Sequence, residues 1–298
     1  MRSRRALGRK WLALFAGVGL APSLSSCEPS RDRGSGFVDS EAGAASSSGG
    51  GTFGDGSAPP GDDATECTEG TQQIYVVATD KGLYRFYPQE LRFVYVGTLG
   101  CPTTAGTYSM AIDRRGRAWV EYTDGRLYAV DTNDATCKPT PFKAGQTGFE
   151  FFGMGFAMNG DDPKSGETLY VAGSALASLD TKSFDLKFLG SLTAGRRTEL
   201  TSIGSELYAF SVGSGVVARL NKLDGKTEVT YRTSAVDETA AFAFAHWGGE
   251  FWLFTGQNFS SVTNYSPATD KSTVVVENTG MVIVGAGSST CAPTKRPR

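Results

Sequence analysis

Ala118-Trp119-Val120-Glu121-Tyr122-Thr123, then Asp124-Gly125, then Arg126-Leu127-Tyr128-Ala129-Val130 reads as two β-strands joined by a tight turn. Aromatic and β-branched residues dominate both runs, and no helical period crosses them. Asp-Gly between such runs predicts a type I′ hairpin turn. The aromatic-bearing first strand recurs at Ile74-Tyr75, Leu169-Tyr170, Leu207-Tyr208 and Phe251-Trp252, at spacings of 38 to 51 residues. Second strands follow, ending near Tyr87, Val130, Leu179, Leu220 and Tyr265. The last four units are also preceded by an apolar strand, at Ser109–Ile112, Gly153–Phe156, Leu200–Ile203 and Ala241–Phe244. A four-stranded unit repeating every 40 to 50 residues or so is the signature of a β-propeller.

The first unit lacks an inner strand, and Met281-Val282-Ile283-Val284 is an inner strand with no unit after it. Pairing the two completes a fifth blade. The expected fold is therefore all-β: a five-bladed β-propeller over residues 67–293, closed by its N- and C-terminal strands. A β-sandwich with irregular hairpins is the alternative architecture.

Four cysteines lie in this region: Cys67, Cys101, Cys137 and Cys291. No C-x-x-C spacing occurs, and His246 is the only histidine in the chain, so disulfides are expected rather than a zinc site. Four cysteines allow three pairings. Closure of the ring puts Cys67 and Cys291 at the same end of neighbouring antiparallel strands, which favours that bridge and leaves Cys101 to pair with Cys137.

Upstream, Glu28 to Glu66 is dominated by Gly, Ser, Ala, Asp and Pro, which bury too little apolar surface to offset ordering entropy. Residues 27–66 are expected to form a disordered tether, and 294–298 a disordered basic tail. The first ten residues carry five positive charges, an apolar run follows from Trp11 to Ala21, and Leu24-Ser25-Ser26-Cys27 closes the segment. The order of charged, apolar and small residues is that of an export signal, and the apolar run is too short to span a bilayer. Its last four residues resemble a bacterial lipobox. The resemblance implies that residues 1–26 are a lipoprotein signal peptide and that Cys27 is diacylated, anchoring the chain to a membrane of the cell envelope. Cleavage there would leave 24 basic against 31 acidic residues, a net charge near −7. That balance argues against a nucleic-acid partner.

Catalytic signals are sparse. Propeller glycosidases use paired carboxylates projecting into the channel. The candidates here are Asp113 after the second inner strand, Glu199 at the head of the fourth, and Asp237 and Glu238 before the fifth, at unequal depths. The loop from Asn159 to Glu167 is rich in oxygens but lacks the alternating spacing of a calcium loop. Trp247, beside Gly248-Gly249, is a candidate ligand-stacking platform or a cover for the blade edge. Gly285-Ala286-Gly287 precedes no helix, so it does not form a phosphate loop, and no cofactor or metal is expected.

Phe152-Gly153-Met154-Gly155-Phe156, Ala241–Phe244 with Trp247-Gly248-Gly249, and Gly285–Pro293 resemble segments of a bacterial lipoprotein family with a propeller-like repeat domain. The resemblance covers most of residues 72–293 and implies fold and location but no activity. Ile112–Val120 is also similar to the repeat of open-faced propeller sensors and lyases. The function expected is a lipid-anchored envelope propeller that binds a protein or glycan ligand without catalysis. The alternatives are a propeller hydrolase or lyase acting on envelope polysaccharide through Asp113, Glu199 and Glu238, and a scaffold within an envelope complex.

Overall fold

The computed structural model describes residues 67–68, 70–194, 197–211, 213–233 and 241–297. Cys27, the signal peptide, the tether, Asp237 and Glu238 lie outside the described residues.

Five four-stranded antiparallel sheets make up the fold. Blade 1 joins β1 (Ile74–Ala78), β2 (Gly82–Tyr87) and β3 (Arg92–Thr98) to the last strand, β20 (Ile283–Ser288). Blade 2 is β4 (Thr107–Ile112), β5 (Arg117–Tyr122), β6 (Leu127–Asp131) and β7 (Cys137–Pro139). Blade 3 is β8 (Gly153–Met158), β9 (Glu167–Ala172), β10 (Ala175–Leu179) and β11 (Leu186–Ser191). Blade 4 is β12 (Thr198–Ile203), β13 (Glu206–Ser211), β14 (Val216–Leu220) and β15 (Thr227–Arg232). Blade 5 is β16 (Ala241–Trp247), β17 (Glu250–Gly256), β18 (Ser260–Ser266) and β19 (Lys271–Val276).

Burial grades outward within each blade. The second strand β5 is buried on both faces, whereas the outer strand β15 alternates half-buried with exposed residues. Strands covered on both faces read as continuous apolar runs, and one-sided strands alternate. Side-chain alternation sends neighbours to different cores: on β5, Trp119 packs toward blade 3, while Ala118 and Val120 pack toward blade 1. Five apolar clusters fill five blade-to-blade interfaces. A row of five sheets has only four interfaces, so the fifth, between blades 5 and 1, closes the ring.

The inner strands β4, β8, β12, β16 and β20 pack side by side around the axis. Their glycines permit the spacing. A Cβ on Gly153 would stand 2.0 Å from the Thr198 carbonyl oxygen, and one on Gly287 would stand 3.0 Å from the Ile112 nitrogen. Across the axis, Thr201 Oγ1 of β12 lies 3.4 Å from Ser288 Oγ of β20.

The hairpin turn at Asp124-Gly125 differs from the type I′ expectation. Type I′ needs positive φ at both central residues. Here Gly125 alone in that turn takes it, at 73°, and its N–H donates to the Tyr122 carbonyl at 2.8 Å. The turn starts one residue earlier, and Asp124 caps it by accepting from the Arg126 N–H. The β4–β5 turn also closes on a glycine, Gly116 (φ 74°), whose N–H donates to the Asp113 carbonyl, but there the capping Asp stands first in the turn rather than third.

Closure is double. β1 pairs antiparallel with β20, Ile74 opposite Ser288. Cys67, before β1, is bonded to Cys291, after β20, with their Cα atoms 5.8 Å apart. Cys101, on the connection leaving blade 1, is bonded to Cys137 on the outer strand of blade 2. The chain's end, expected as a disordered tail, is held as far as Pro297. Arg296 pairs with Glu250 at 2.6 Å, and Gln89 Nε2 donates to the Pro297 carbonyl at 3.1 Å. These partners lie on blades 5 and 1, where the chain leaves the ring, and composition alone does not reveal them.

The Cys67–Cys291 bond closes a loop of 224 residues, worth about 5 kcal/mol in the chain-entropy account. Replacing both with Ser should lower the denaturation midpoint more than replacing Cys101 and Cys137, whose loop spans 36. The reverse ranking in urea titrations would refute the closure argument. Gly153→Ala should cost more than the usual overpacking penalty of about 1–3 kcal/mol, because the new methyl meets backbone rather than a mobile side chain.

Candidate functional site

Inner strands run in one direction around a propeller, so the ring has an end where they finish and an end where they start. At the finishing end, between blades 2 and 3, lies a cavity of about 690 Å³. Three connections wall it: the β4–β5 turn (Asp113 to Arg117), the β8–β9 loop with Glu167, and the β10–β11 turn (Asp180 to Lys182). Its volume falls within the range of small-molecule sites.

Asp113 is buried and all its acceptor capacity is used. Oδ1 accepts from the Arg115 and Arg117 N–H groups at 3.0 and 2.9 Å, and Oδ2 from Arg117 Nε at 2.9 Å and Trp119 Nε1 at 3.1 Å. The Arg117 guanidinium in turn sits over the Trp119 ring, 4.6 Å from its centre. Asp113 therefore shapes the turn and aims Arg117 rather than offering a free base.

Glu167 is the second anchored carboxylate. Oε1 accepts from the Arg114 N–H at 2.8 Å and Oε2 from Thr290 Oγ1 at 2.7 Å. Arg114 Nε also donates to Thr290 Oγ1 at 2.7 Å, its Nη1 donates to the Pro163 carbonyl, and its own carbonyl accepts from Thr68. Thr68 and Thr290 adjoin the two cysteines of the closing disulfide, so the cavity wall and the ring closure share one network. Burial pushes the Glu167 carboxyl up to about 7, against the lowering effect of its hydrogen bonds, with nearby Asp113 adding to the rise.

Side-chain oxygens of the Asn159–Glu167 loop are engaged within the loop and with neighbouring elements. Asp162 Oδ1 accepts from the Lys164 N–H at 2.8 Å, Asn159 Oδ1 from Thr168 Oγ1 at 2.6 Å, and Asp161 Oδ1 from Ser205 Oγ.

At the starting end of the inner strands sits a different group. Glu199 Oε2 accepts from Ser109 Oγ at 2.9 Å, and its carboxylate also takes the Met154 N–H. Glu121, directly opposite Ser109 in the blade 2 ladder, accepts the Phe152 N–H at 3.1 Å. The two glutamates thus cover two N–H groups, one on β8 and one on the residue that leads into it. These groups are two residues apart, about 6.6 Å along a strand. Burial holds both carboxyls well above the usual carboxylate range, and Glu199 adds to the rise at Glu121. The Tyr108 hydroxyl beside them is pushed up to about 12, first by burial and then by both glutamates. Glu121 Oε1 and the Tyr122 hydroxyl are buried without a hydrogen-bond partner among the described residues.

Of the sequence-derived carboxylates, the structure keeps Asp113 and Glu199 apart. Asp113 stands four residues beyond Ser109, just past the end of β4, which puts it about 13 Å from the Glu199 contact. Glu238 lies outside the described residues. Glu121, which the sequence reading passed over, is the carboxylate that joins Glu199, yet at 0% and 2% exposure neither reaches solvent. Trp247 is no stacking platform: it is 3% exposed, and its Nε1 donates to the Gln72 carbonyl at 2.8 Å, locking the ring between blades 5 and 1. His246 is buried, and its Nε2 accepts from the Gly249 N–H at 3.1 Å.

The cavity residues Arg115, Lys164 and Lys182 were likewise not singled out from sequence. They belong to ordinary charged turns, and only the Asp-x-x-Gly turn layout at Asp113 and Gly116 marks the place. Two disulfides place the domain in an oxidising setting, extracellular or periplasmic. Among the described residues, no helix is long and apolar enough to cross a membrane.

No protein-family model matches the chain, and no curated protein matches it. Among solved structures, a chain in the crystal structure of a nidogen/laminin complex matches with a TM-score of 0.45 and 13% identity, over 74% of this chain and 86% of that one.

Glu167 and His246 should give opposite pH slopes. Glu167 holds its proton in the folded state up to about 7, whereas the unfolded side chain loses it near 4.5. Its contribution to stability therefore falls as pH rises between those values. Burial lowers His246 to about 4 against 6.5 unfolded, so its contribution falls as pH drops from 6.5 toward 4. In melting curves from pH 4 to 8 or so, Glu167→Gln should gain on the parent protein as pH rises. His246→Gln should gain as pH falls, and parallel curves would refute both assignments.

Proposed function

We propose that this chain is an exported, lipid-anchored β-propeller that binds a ligand at the cell envelope through the cavity between blades 2 and 3, without transforming it. The observation that carries the reading is the state of the cavity's carboxylates. Asp113 and Glu167 accept between them six of the hydrogen bonds that shape the wall, and Asp180 accepts two more from the Lys182 and Ser183 N–H groups of its own turn. Acid–base work needs a group free to exchange its proton with a substrate. Groups committed to the scaffold instead keep a binding surface rigid, which lowers the ordering cost of association.

The anchor rests on the lipobox-like Leu24–Cys27 stretch and agrees with the two disulfides of an exported domain. In this layout, residues 1–26 are removed, the Cys27 lipid holds the membrane, and residues 28–66 are the tether. Cys27→Ala should move the protein from the membrane pellet to the soluble fraction of a cell lysate, and retention in the pellet would overturn the anchor.

The binding reading is tested on a glycan array carrying envelope polysaccharide fragments, with a digestion assay on the same samples. The full chain should bind without releasing new reducing ends. Thr181→Trp, which fills the cavity from its rim, should abolish the binding. New reducing ends would favour the hydrolase reading, and undiminished binding by Thr181→Trp would move the site elsewhere.

A further inference from the structure

Two backbone hydrogen bonds explain why Glu121 and Glu199 reach toward β8, but they leave Glu121 Oε1 unexplained. That oxygen is buried with no hydrogen-bond partner among the described residues, on a side chain that is 0% exposed. A buried polar atom without a partner costs free energy, and a buried charge is ordinarily paired or bound to a metal. No ion pair reaches either carboxyl among the described residues, and the charged neighbour that acts on Glu121 is another acid, Glu199. Arg197, whose field reaches Tyr108, sits over the Phe242 ring, 5.1 Å from its centre.

Strands of blades 2, 3 and 4 bring these groups together. Glu121 on β5 stands opposite Ser109 on β4, so both side chains leave one face of the blade 2 sheet. Ser109 Oγ donates to Glu199 Oε2 at 2.9 Å, which brings the β12 carboxyl to that same face. The N–H groups that the two carboxyls accept, on Phe152 and Met154, flank Gly153, which has no side chain. Tyr108 is the extra residue of a bulge between Thr107 and Ser109, and its hydroxyl lies within the field of both glutamates. An ionised carboxylate has about four acceptor sites. Glu121 uses one and Glu199 two, so both keep acceptor capacity.

We propose that Glu121 and Glu199 together hold one calcium ion at the starting end of the inner strands, with Glu121 Oε1 as a direct ligand. Calcium takes oxygen ligands at about 2.3–2.6 Å in irregular geometry, whereas magnesium demands a near-ideal octahedron at about 2.0–2.1 Å. The N–H groups that position the two carboxyls are about 6.6 Å apart, so one ion can touch an oxygen of each. No third acidic, His or Cys side chain joins them among the described residues, so neutral oxygens complete the shell and a zinc-type site is not formed. The ion's two charges match those of the two carboxylates, and it takes the place of the protons that burial otherwise holds on them. Glu121 and Glu199 lie on different blades, so no sequence spacing announces the pair. The site is separate from the cavity between blades 2 and 3 and does not depend on ligand binding there.

The full chain, stripped with EDTA and exchanged into chelator-free buffer, would be titrated calorimetrically with calcium chloride and with magnesium chloride. About one calcium ion per chain should bind, with a Kd below about 1 mM and at least about tenfold more tightly than magnesium. The melting midpoint should rise with calcium, since the ion binds the folded chain. Glu121→Gln keeps an oxygen for the Phe152 N–H and replaces the other with an amide nitrogen. It should weaken calcium about tenfold or more and remove the calcium-dependent rise in melting. A second readout leaves both glutamates in place: terbium, which substitutes for calcium, should luminesce on tyrosine excitation, and Tyr108→Phe should dim that emission. Absence of calcium binding would leave a proton shared between the carboxyls and overturn the site. So would equal affinity for magnesium, undiminished calcium binding by Glu121→Gln, or terbium emission unchanged in Tyr108→Phe.

Discussion

Everything in this molecule depends on one pairing between the ends of the domain. β20 lies beside β1, and without it blade 1 has no inner strand and the cores on either side of it lose a wall. Each blade buries its apolar faces against its two neighbours, so an open ring exposes two apolar faces at once. The backbone ladder sets the register of that junction, and the Cys67–Cys291 bond keeps the two strands from separating when a blade fluctuates. Glycines on β20 complete it, because Gly285 and Gly287 bring its backbone against β4 where any side chain would collide.

The same junction reaches the candidate site. Arg114 takes Thr68 at its carbonyl, Thr290 at its side chain and Glu167 at its N–H, binding the closing residues to the cavity wall. The closure and the two loops that wall the cavity are therefore joined by direct hydrogen bonds. At the opposite end, Glu121 and Glu199 turn their carboxyls to two N–H groups at the start of β8. Two buried acids at one edge suggest chemistry by their residue type alone. Their burial and backbone partners give them a structural explanation, since an inner strand has no neighbour in its own sheet on the axial side and its N–H groups need acceptors.

Much of the architecture was legible because propeller blades repeat. The recurrence of aromatic pairs at Tyr75, Trp119, Tyr170, Tyr208 and Trp252 reports a constraint that acts within each blade, where strand neighbours are close in sequence. Even the closure could be read, because one unit was short of a strand and one strand was left over. The turn at Gly125 was less accessible: Asp-Gly serves both a two-residue turn and a longer one, and the choice rests on the φ of a single residue.

Alone, the sequence determined the blade count, the strand order and the chemical layout of an export-like leader ahead of a repeat domain, since these follow from local periodicity and composition. Tertiary structure decided which charged residues meet. Arg114 and Glu167 are separated by 53 residues, and Glu167 and Thr290 by 123, yet they form one hydrogen-bonded group. It also decided that Trp247 is core rather than platform, and that the carboxylate neighbouring Glu199 is Glu121 rather than Asp113. The physical reason is the same throughout: a side chain's type is local, but its burial, its partners and the field around it are set by chain segments that only the closed ring brings together.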